Sequence, residues 1–142
     1  MDFFSALKIS GSGLAAEKAR VDLAASNLAN VDSTRGPDGK PYRRLDPVFE
    51  ATPFDTELAG AEGESQGMGV KMVAVAEDQT PGKRVYSPGH PDADAQGFIT
   101  LPNIDPVHET VNLISASNAY SANTTAVETL KTMAANALAI AK

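Results

Sequence analysis

"SGLAAEKARVDLAASNLANVDSTR", Ser12 to Arg35, is the stretch on which the reading of this chain turns. Leu14, Val21 and Leu28 stand seven residues apart, and Leu7 carries the series upstream. Phe3, Ala24 and Val31 occupy the alternate position of the same seam. This spacing predicts an amphipathic helix of about four turns from Leu14 to Leu28, with a start as early as Phe3. Gly11 and Gly13 interrupt the first part. Each costs about 1 kcal/mol against Ala in a helix interior, so a kinked or separate first segment is expected, with Ser10 or Ser12 as an N-cap. Asn27 and Asn30 sit where the apolar series ends. They carry two readings. As caps, Asn30 ends the helix and Asp32 or Ser33 forms a local turn. As register elements, polar amides beside an apolar seam fix which helix pairs with which. Capping is assigned to Asn30.

The far end mirrors the near one. Leu113, Tyr120, Val127, Ala134 and Ala141 lie seven apart, and Ala116, Asn123, Leu130 and Ala137 fill the other seam position. A helix from about Pro106 to Ala141 is expected. Pro106 suits the first turn, where its missing N–H is not needed, and Asp105 is the candidate N-cap. Asn123 lies on the seam itself. An interhelical hydrogen bond is expected there, because an unpaired amide in a packed seam is costly. Both seams are rich in small residues. A fully buried Leu contributes about 1.5–3 kcal/mol and Ala far less. A helical hairpin built this way is weak, and its ends are expected to fray in a free monomer and to gain order from neighbours.

The charge distribution supports the same division. The chain has 142 residues and a net charge of −6. Residues 1–35 and 107–142 are each neutral, so residues 36–106 carry the whole excess of acid. Neutral ends and an acidic centre suit buried ends and a solvated centre. Nucleic acid is excluded as a main partner, since phosphate binding needs a basic face. The chain has no cysteine, which removes disulfides and thiolate metal sites. No apolar run approaches the length of a membrane span, and Asp2, Lys8 and the Gly11–Gly13 run do not suit a cleaved signal peptide.

The centre has the grammar of strands and turns. Gly36, Pro37, Gly39 and Pro41 predict a turn-rich loop. Tyr42 to Phe54 is expected to be extended, with Pro47 arguing for an edge. A mobile loop is expected over 55–67. Val70 to Val75 alternates as a strand does. Thr80-Pro81-Gly82 turns into a second strand, Lys83 to Tyr86, and Phe98 to Leu101 forms another. The expected class is therefore α+β: two long terminal helices pairing as a coiled coil, with a small central β domain. The segments are 1–35, 36–106 and 107–142.

Few residues invite chemistry. His90, Asp92 and Asp94 alternate in "GHPDAD" and would share one face of a strand, where they could hold a divalent metal. "DADAQG" imitates a calcium loop but places Gln96 and Asn103 where ligands belong. A polar turn, with the carboxylates bonded to local backbone amides, is the preferred reading. Tyr42-Arg43-Arg44 is read as a solvated strand end, the alternative being contact with an acidic neighbour. His108 is expected to be exposed. No nucleophile, cofactor loop or metal cluster is assigned, and no enzymatic activity is expected. Besides a stacking subunit, a helical-hairpin adaptor forming a discrete complex fits these features.

The same stretches resemble a known family. Ser12 to Arg35 is similar to the N-terminal signature of the flagellar rod, hook and hook-associated axial proteins, with its closing Asn-Leu-Ala-Asn at 27–30. "LISASNAYSANTTAVETLKTMAANALAI", Leu113 to Ile140, resembles their C-terminal partner helix. "RVYSPGHPDADAQGFITLPNID", Arg84 to Asp105, and "GPDGKPYRR", Gly36 to Arg44, are similar to the centre of a short rod member. Only Ala51 to Gly67 lies outside the resemblance. It implies a structural subunit of the basal-body rod. Such a subunit stacks helically with copies of itself and other rod proteins between the membrane ring with its export apparatus and the hook-side rod, and it carries torque. It implies export through the flagellar type III channel without a cleaved signal, a place in the rod across the periplasm, no cofactor, and no membrane insertion. The expected assembly interface is the seam: Leu7, Leu14, Val21, Leu28, Asn27, Asn30, Leu113, Tyr120, Asn123, Val127 and Leu130.

Overall fold

A computed structural model describes residues 3–36, 39–53 and 68–140. The expected mobile loop at 55–67, with Phe54 and Ala141, lies outside the described residues. The order is α1 (Phe3–Ala29), β1 (Leu45–Pro53), β2 (Met68–Glu77), β3 (Lys83–Tyr86), β4 (Phe98–Leu101) and α2 (Pro106–Ile140). The fold is α+β, with helices at both ends and antiparallel strands between them.

Helix α1 runs unbroken through Gly11 and Gly13, so the first segment is not a separate helix. The reason is tertiary. A Cβ at Gly13 would sit 3.1 Å from Asn123 Nδ2 on α2, so the glycine lets the two helices approach, and that packing offsets its poor propensity. Ser12 is not an N-cap. Its hydroxyl donates to Ile9 O (2.7 Å) and accepts the Val70 N–H (3.1 Å), which fastens α1 to β2. At the other end Asn30 closes the helix as a cap. Its Nδ2 donates to Ser26 O (2.8 Å), while Ser33 donates to it from both Oγ and the backbone N–H, each at 3.1 Å. Asp105 caps α2, accepting the Val107 N–H on its carboxylate at 2.9 Å.

α1 is the middle layer, with α2 on one side and the β1–β2 hairpin on the other. The helices are antiparallel: Asn27 meets Glu109 and Gly13 meets Asn123, so the numbers of facing residues add to 136. Close approach selects small side chains for burial. Ala16, Ala24 and Ala116 are buried, as are the polar Asn27 and Glu109. The seam residues Leu7, Leu14, Val21 and Leu28 are only half-buried. They flank the line of closest approach instead of lying on it, because α1 must serve two neighbours.

Among the described residues the centre forms two separate two-stranded sheets. β1 pairs with β2 from Leu45↔Glu77 to Pro53↔Met68, with an irregularity between Val48 and Phe49. β3 pairs with β4, Tyr86 opposite Phe98. The turn at Thr80–Gly82 therefore links two sheets and closes no hairpin between β2 and β3. Alternation along β2 does not yield a buried face: Met72 and Val73 turn to opposite sides and both are exposed, as is Val75, and only Gly69 is buried and Val70 half-buried, next to Ser12 of α1. In the second sheet Gly97 has φ +82 and lies against Tyr86 and Pro88, a backbone that favours glycine. There the Tyr86 and Phe98 rings meet edge to face at 5.2 Å with Arg84 over Phe98.

Two substitutions test this account. Gly11 has open space where a Cβ would go, so Gly11→Ala is expected to stabilise the chain by about 1 kcal/mol through helix propensity alone. Gly13→Leu is expected to destabilise by about 1–3 kcal/mol by forcing α1 from α2. Thermal unfolding followed by circular dichroism reads both. Equal effects at the two sites would contradict the close approach at Gly13.

Candidate assembly interface and its polar hub

The most buried large side chains are polar, and they meet at one point. Asn27, in the last turn of α1, is about 1% exposed. Its Nδ2 donates to Leu45 O (2.9 Å) and to Glu109 Oε2 (3.2 Å). Its Oδ1 accepts the Leu45 N–H (2.9 Å) and the Tyr42 hydroxyl (3.1 Å). Both donors and both acceptor sites of the amide are used. Toward Leu45 the carboxamide behaves as a neighbouring strand would, bonding both backbone groups at the start of β1. The Tyr42 oxygen lies 3.2 Å from Ser26 Oγ and can accept from it.

Glu109, in the first turn of α2, is about 2% exposed. Arg44 Nε donates to its Oε1 at 2.6 Å, and Arg44 also pairs with Asp46. Burial acts to raise the Glu109 pKa, but the bonds from Arg44 and Asn27 outweigh it and hold the carboxyl below its usual range. Burial acts to lower the Arg44 pKa, but its bonds to Glu109 and Asp46 outweigh this and hold the guanidinium above its usual range. The ion pair is therefore charged at neutral pH. No buried side-chain polar atom among the described residues lacks a partner.

This corrects the reading of Tyr42-Arg43-Arg44 as a solvated strand end. Arg43 does face solvent, bonding Gln79 Oε1, but Tyr42 and Arg44 turn inward to Asn27 and Glu109. The acidic neighbour belongs to the same chain. Glu109 was missed as well, although the spacing contained it: it precedes Ala116 by seven, on the seam series of Asn123 and Leu130. A charged residue on that series is the signal. Asn123 itself makes no side-chain hydrogen bond among the described residues, contrary to expectation. It is half-buried against Gly13, so its amide borders an open groove and is not sealed in a seam. Leu113, Val127 and Leu130 are half-buried on the side of α2 facing α1, and Tyr120 is more exposed. His108 is exposed.

The "GHPDAD" turn is taken up with structural bonds. Asp94 accepts the Gln96 and Phe98 N–H groups, each at 2.9 Å, and Arg84 at 2.7 Å. Asp92 accepts from Thr34 Oγ1 at 2.8 Å and pairs with Arg35, joining this turn to the segment that follows the first helix. His90 Nδ1 accepts the Asp92 N–H. Among the described residues no three His, Asp or Glu side chains converge on a cation position.

With this geometry in view, similarity to known proteins becomes informative. A family model for "Flagella basal body rod protein" matches residues 7–37. Another, for "Flagellar basal body rod FlgEFG protein C-terminal", matches 95–140. The flagellar basal-body rod protein FlgC of Salmonella typhimurium is 47% identical over 133 residues, covering 94% of this chain and 93% of its own. FlgC of Borreliella burgdorferi is 38% identical over 99% of this chain and 98% of its own length. FlgC of Bacillus subtilis is 36% identical over the full length of both. The chain belongs to the FlgC family of flagellar basal-body rod proteins. The two family models cover the ends, where α1 and α2 stand. The FlgC matches extend through the centre as well, so the hub joins the shared helical ends to a FlgC-type middle.

The hub yields two measurable consequences. Asn27→Ala strands the N–H and C=O of Leu45 and is expected to cost about 2–3 kcal/mol. Glu109 has a folded pKa below its unfolded one, so its contribution is full above the ordinary carboxylate value of about 4.3. It is lost as pH falls through the lower folded value. The thermal midpoint is expected to drop on acidification from pH 5 to pH 3. Glu109→Gln is expected to flatten that drop and to cost about 2 kcal/mol at pH 7 by removing the buried partner of Arg44, which keeps only Asp46. An unchanged acid profile in Glu109→Gln would show that the ion pair does not control it.

Proposed function

We propose that this chain is a structural subunit of the bacterial flagellar basal-body rod. Similarity to FlgC proteins over nearly the whole chain carries this reading. Physical features support it. The paired terminal helices bury mainly small residues against each other, while Val107, Val111 and Ile114 stand exposed along α2. A long helix with apolar residues on its outer side gains stability when neighbours cover them. In this reading the helical ends form the inner layer of the rod, and the acidic centre faces outward. Contacts of the heterologous type, which do not close into a ring, build a helical shaft. The shaft takes its place in the proximal rod across the periplasm and transmits torque from the membrane ring to the hook. Its partners are copies of this chain, the neighbouring rod proteins, and the ring and export apparatus at its base.

Passage through the type III export channel without a cleaved signal fits a chain whose ends hold together weakly. The absence of cysteine suits an oxidising destination. The assembly interface comprises the outer margins of the seam, including Leu7, Leu14, Val21, Leu28, Leu113, Tyr120, Val127 and Leu130.

Leu28→Asp or Leu130→Asp is expected to abolish rod assembly while the central strands stay folded. Electron microscopy of basal bodies from the variant strains, beside a strain lacking the protein, reads assembly directly. A motile Leu28→Asp strain with normal rods would refute the seam as the assembly interface. Intact rods in the deletion strain would refute the function itself.

A further inference from the structure

The β1–β2 hairpin carries opposite charge at its two ends. At its base, residues 35–44 hold Arg35, Lys40, Arg43 and Arg44 against Asp38 alone, although the centre as a whole is acidic. Arg35 is paired with Asp92, and Arg44 with Glu109 and Asp46. Lys40 and Arg43 are exposed and have no carboxylate partner among the described residues. Arg43 bonds neutral acceptors there, Gln79 Oε1 and Asp78 O. Both cations stand on one wall of a cleft of about 220 Å³, and Thr80, Pro81, Pro102 and Asn103 stand on the other. Asp78 also lines it, but its carboxylate is taken up by the N–H and hydroxyl of Thr80. The tip is the reverse. Residues 54–67, which join β1 to β2, hold Asp55, Glu57, Glu62 and Glu64 and no Lys or Arg.

We propose that the cleft at Lys40 and Arg43 receives the acidic run 55–64 of a second copy of this chain, stacked head to tail. The chain's own run is too far away. Arg44 O accepts the Asp78 N–H at 2.8 Å, so the β1–β2 ladder extends from Pro53 to the edge of the cleft. From Arg44 to Pro53 this is about 30 Å, at roughly 3.3 Å per residue. Residues 54–67 begin and end beside the paired Pro53 and Met68. The run therefore projects from that pair by at most half of its fourteen residues, about 25 Å at full extension. Doubled back along its own hairpin, it stops short of the cations. A copy lying beyond the base has no such limit. Charge selects the occupant: four carboxylates with no cation among them meet two cations with no carboxylate partner, and opposite potentials fix register and exclude wrong pairings. A tip that fits a base is a heterologous contact, which repeats without closing. It therefore suits helical stacking in the rod, the reading on which this inference rests, and it lies in the centre of the chain, apart from the helical seam.

The test uses basal bodies assembled in cells. The chain has no cysteine. Asn103→Cys at the cleft and Ser65→Cys in the acidic run place two thiols for a short bismaleimide and leave every charge in place. Cross-linked dimers and higher multimers of this chain, absent when either cysteine stands alone, support the proposal. A bridge confined to one copy, a product with a different rod protein, multimers from a single cysteine, or no product overturns it. In the same background, Lys40→Glu with Arg43→Glu is expected to abolish the multimers, and adding Glu62→Lys with Glu64→Lys is expected to restore them. Multimers that survive the reversal, or stay lost after the swap, overturn the pairing of charges. Both cations are exposed, so the purified Lys40→Glu/Arg43→Glu chain is expected to keep its thermal midpoint. Should it unfold, Lys40→Glu alone and its rescue by Glu62→Lys give the same readout. Failure of the rod reading looks different: the double-cysteine chain is then missing from the basal-body fraction on immunoblots, whereas failure of this contact leaves it there without multimers.

Discussion

A single buried carboxamide sets the geometry of this molecule. Asn27 must place two donors and two acceptors out of reach of water, and it satisfies all four with Leu45, Tyr42 and Glu109. Those partners come from two distant stretches, residues 42–45 and the first turn of α2. The end of α1, the start of β1 and the first turn of α2 can therefore occupy only one relative arrangement without leaving a buried polar group unpaired. An apolar side chain of similar size would tolerate many. Glu109 and Arg44 extend the constraint, because the carboxylate that receives the amide is itself buried and needs its counter-charge close by. A buried polar network in which every member is satisfied rigidifies the core and specifies one arrangement.

Specificity matters here because the apolar contribution is small. The helices approach closely through Gly13, Ala16, Ala24 and Ala116, which brings their backbones together but removes little surface from water. The larger apolar residues remain on the outside, along α2 and across the open face of β2. The result is a chain with a well-defined internal geometry and a thin core. In a FlgC-family protein this combination is coherent. The hub presents the outer faces in a fixed relation, and binding to the folded form adds stability by mass action when neighbours arrive.

Much of the local structure was legible from residue order. Asp105 and Pro106 mark the start of α2 through a cap and a missing donor, and those constraints act within a few residues. Asn30 and Ser33 end α1 for the same kind of reason. Strand positions followed from alternation and from Gly and Pro between them. The failures share a cause. Gly11 and Gly13 were read from their propensity, yet a helix packed across Gly13 decided the outcome. Tyr42 and Arg44 looked like a solvated end because their partners, Asn27 and Glu109, lie 15 and 65 positions away. Asn123 was placed on a seam, and the seam opens into a groove at that point.

Sequence alone determined that this chain has two heptad-bearing helical ends of zero net charge around an acidic, strand-forming centre, because periodicity, capping and charge are properties of neighbouring residues. Only the tertiary structure decided which strands pair, and that the deepest burial falls on alanines, an asparagine and a glutamate instead of the leucines. Those outcomes depend on how closely two helices approach and on where a buried amide finds its four partners, and such distances arise only once segments far apart in the chain are packed together.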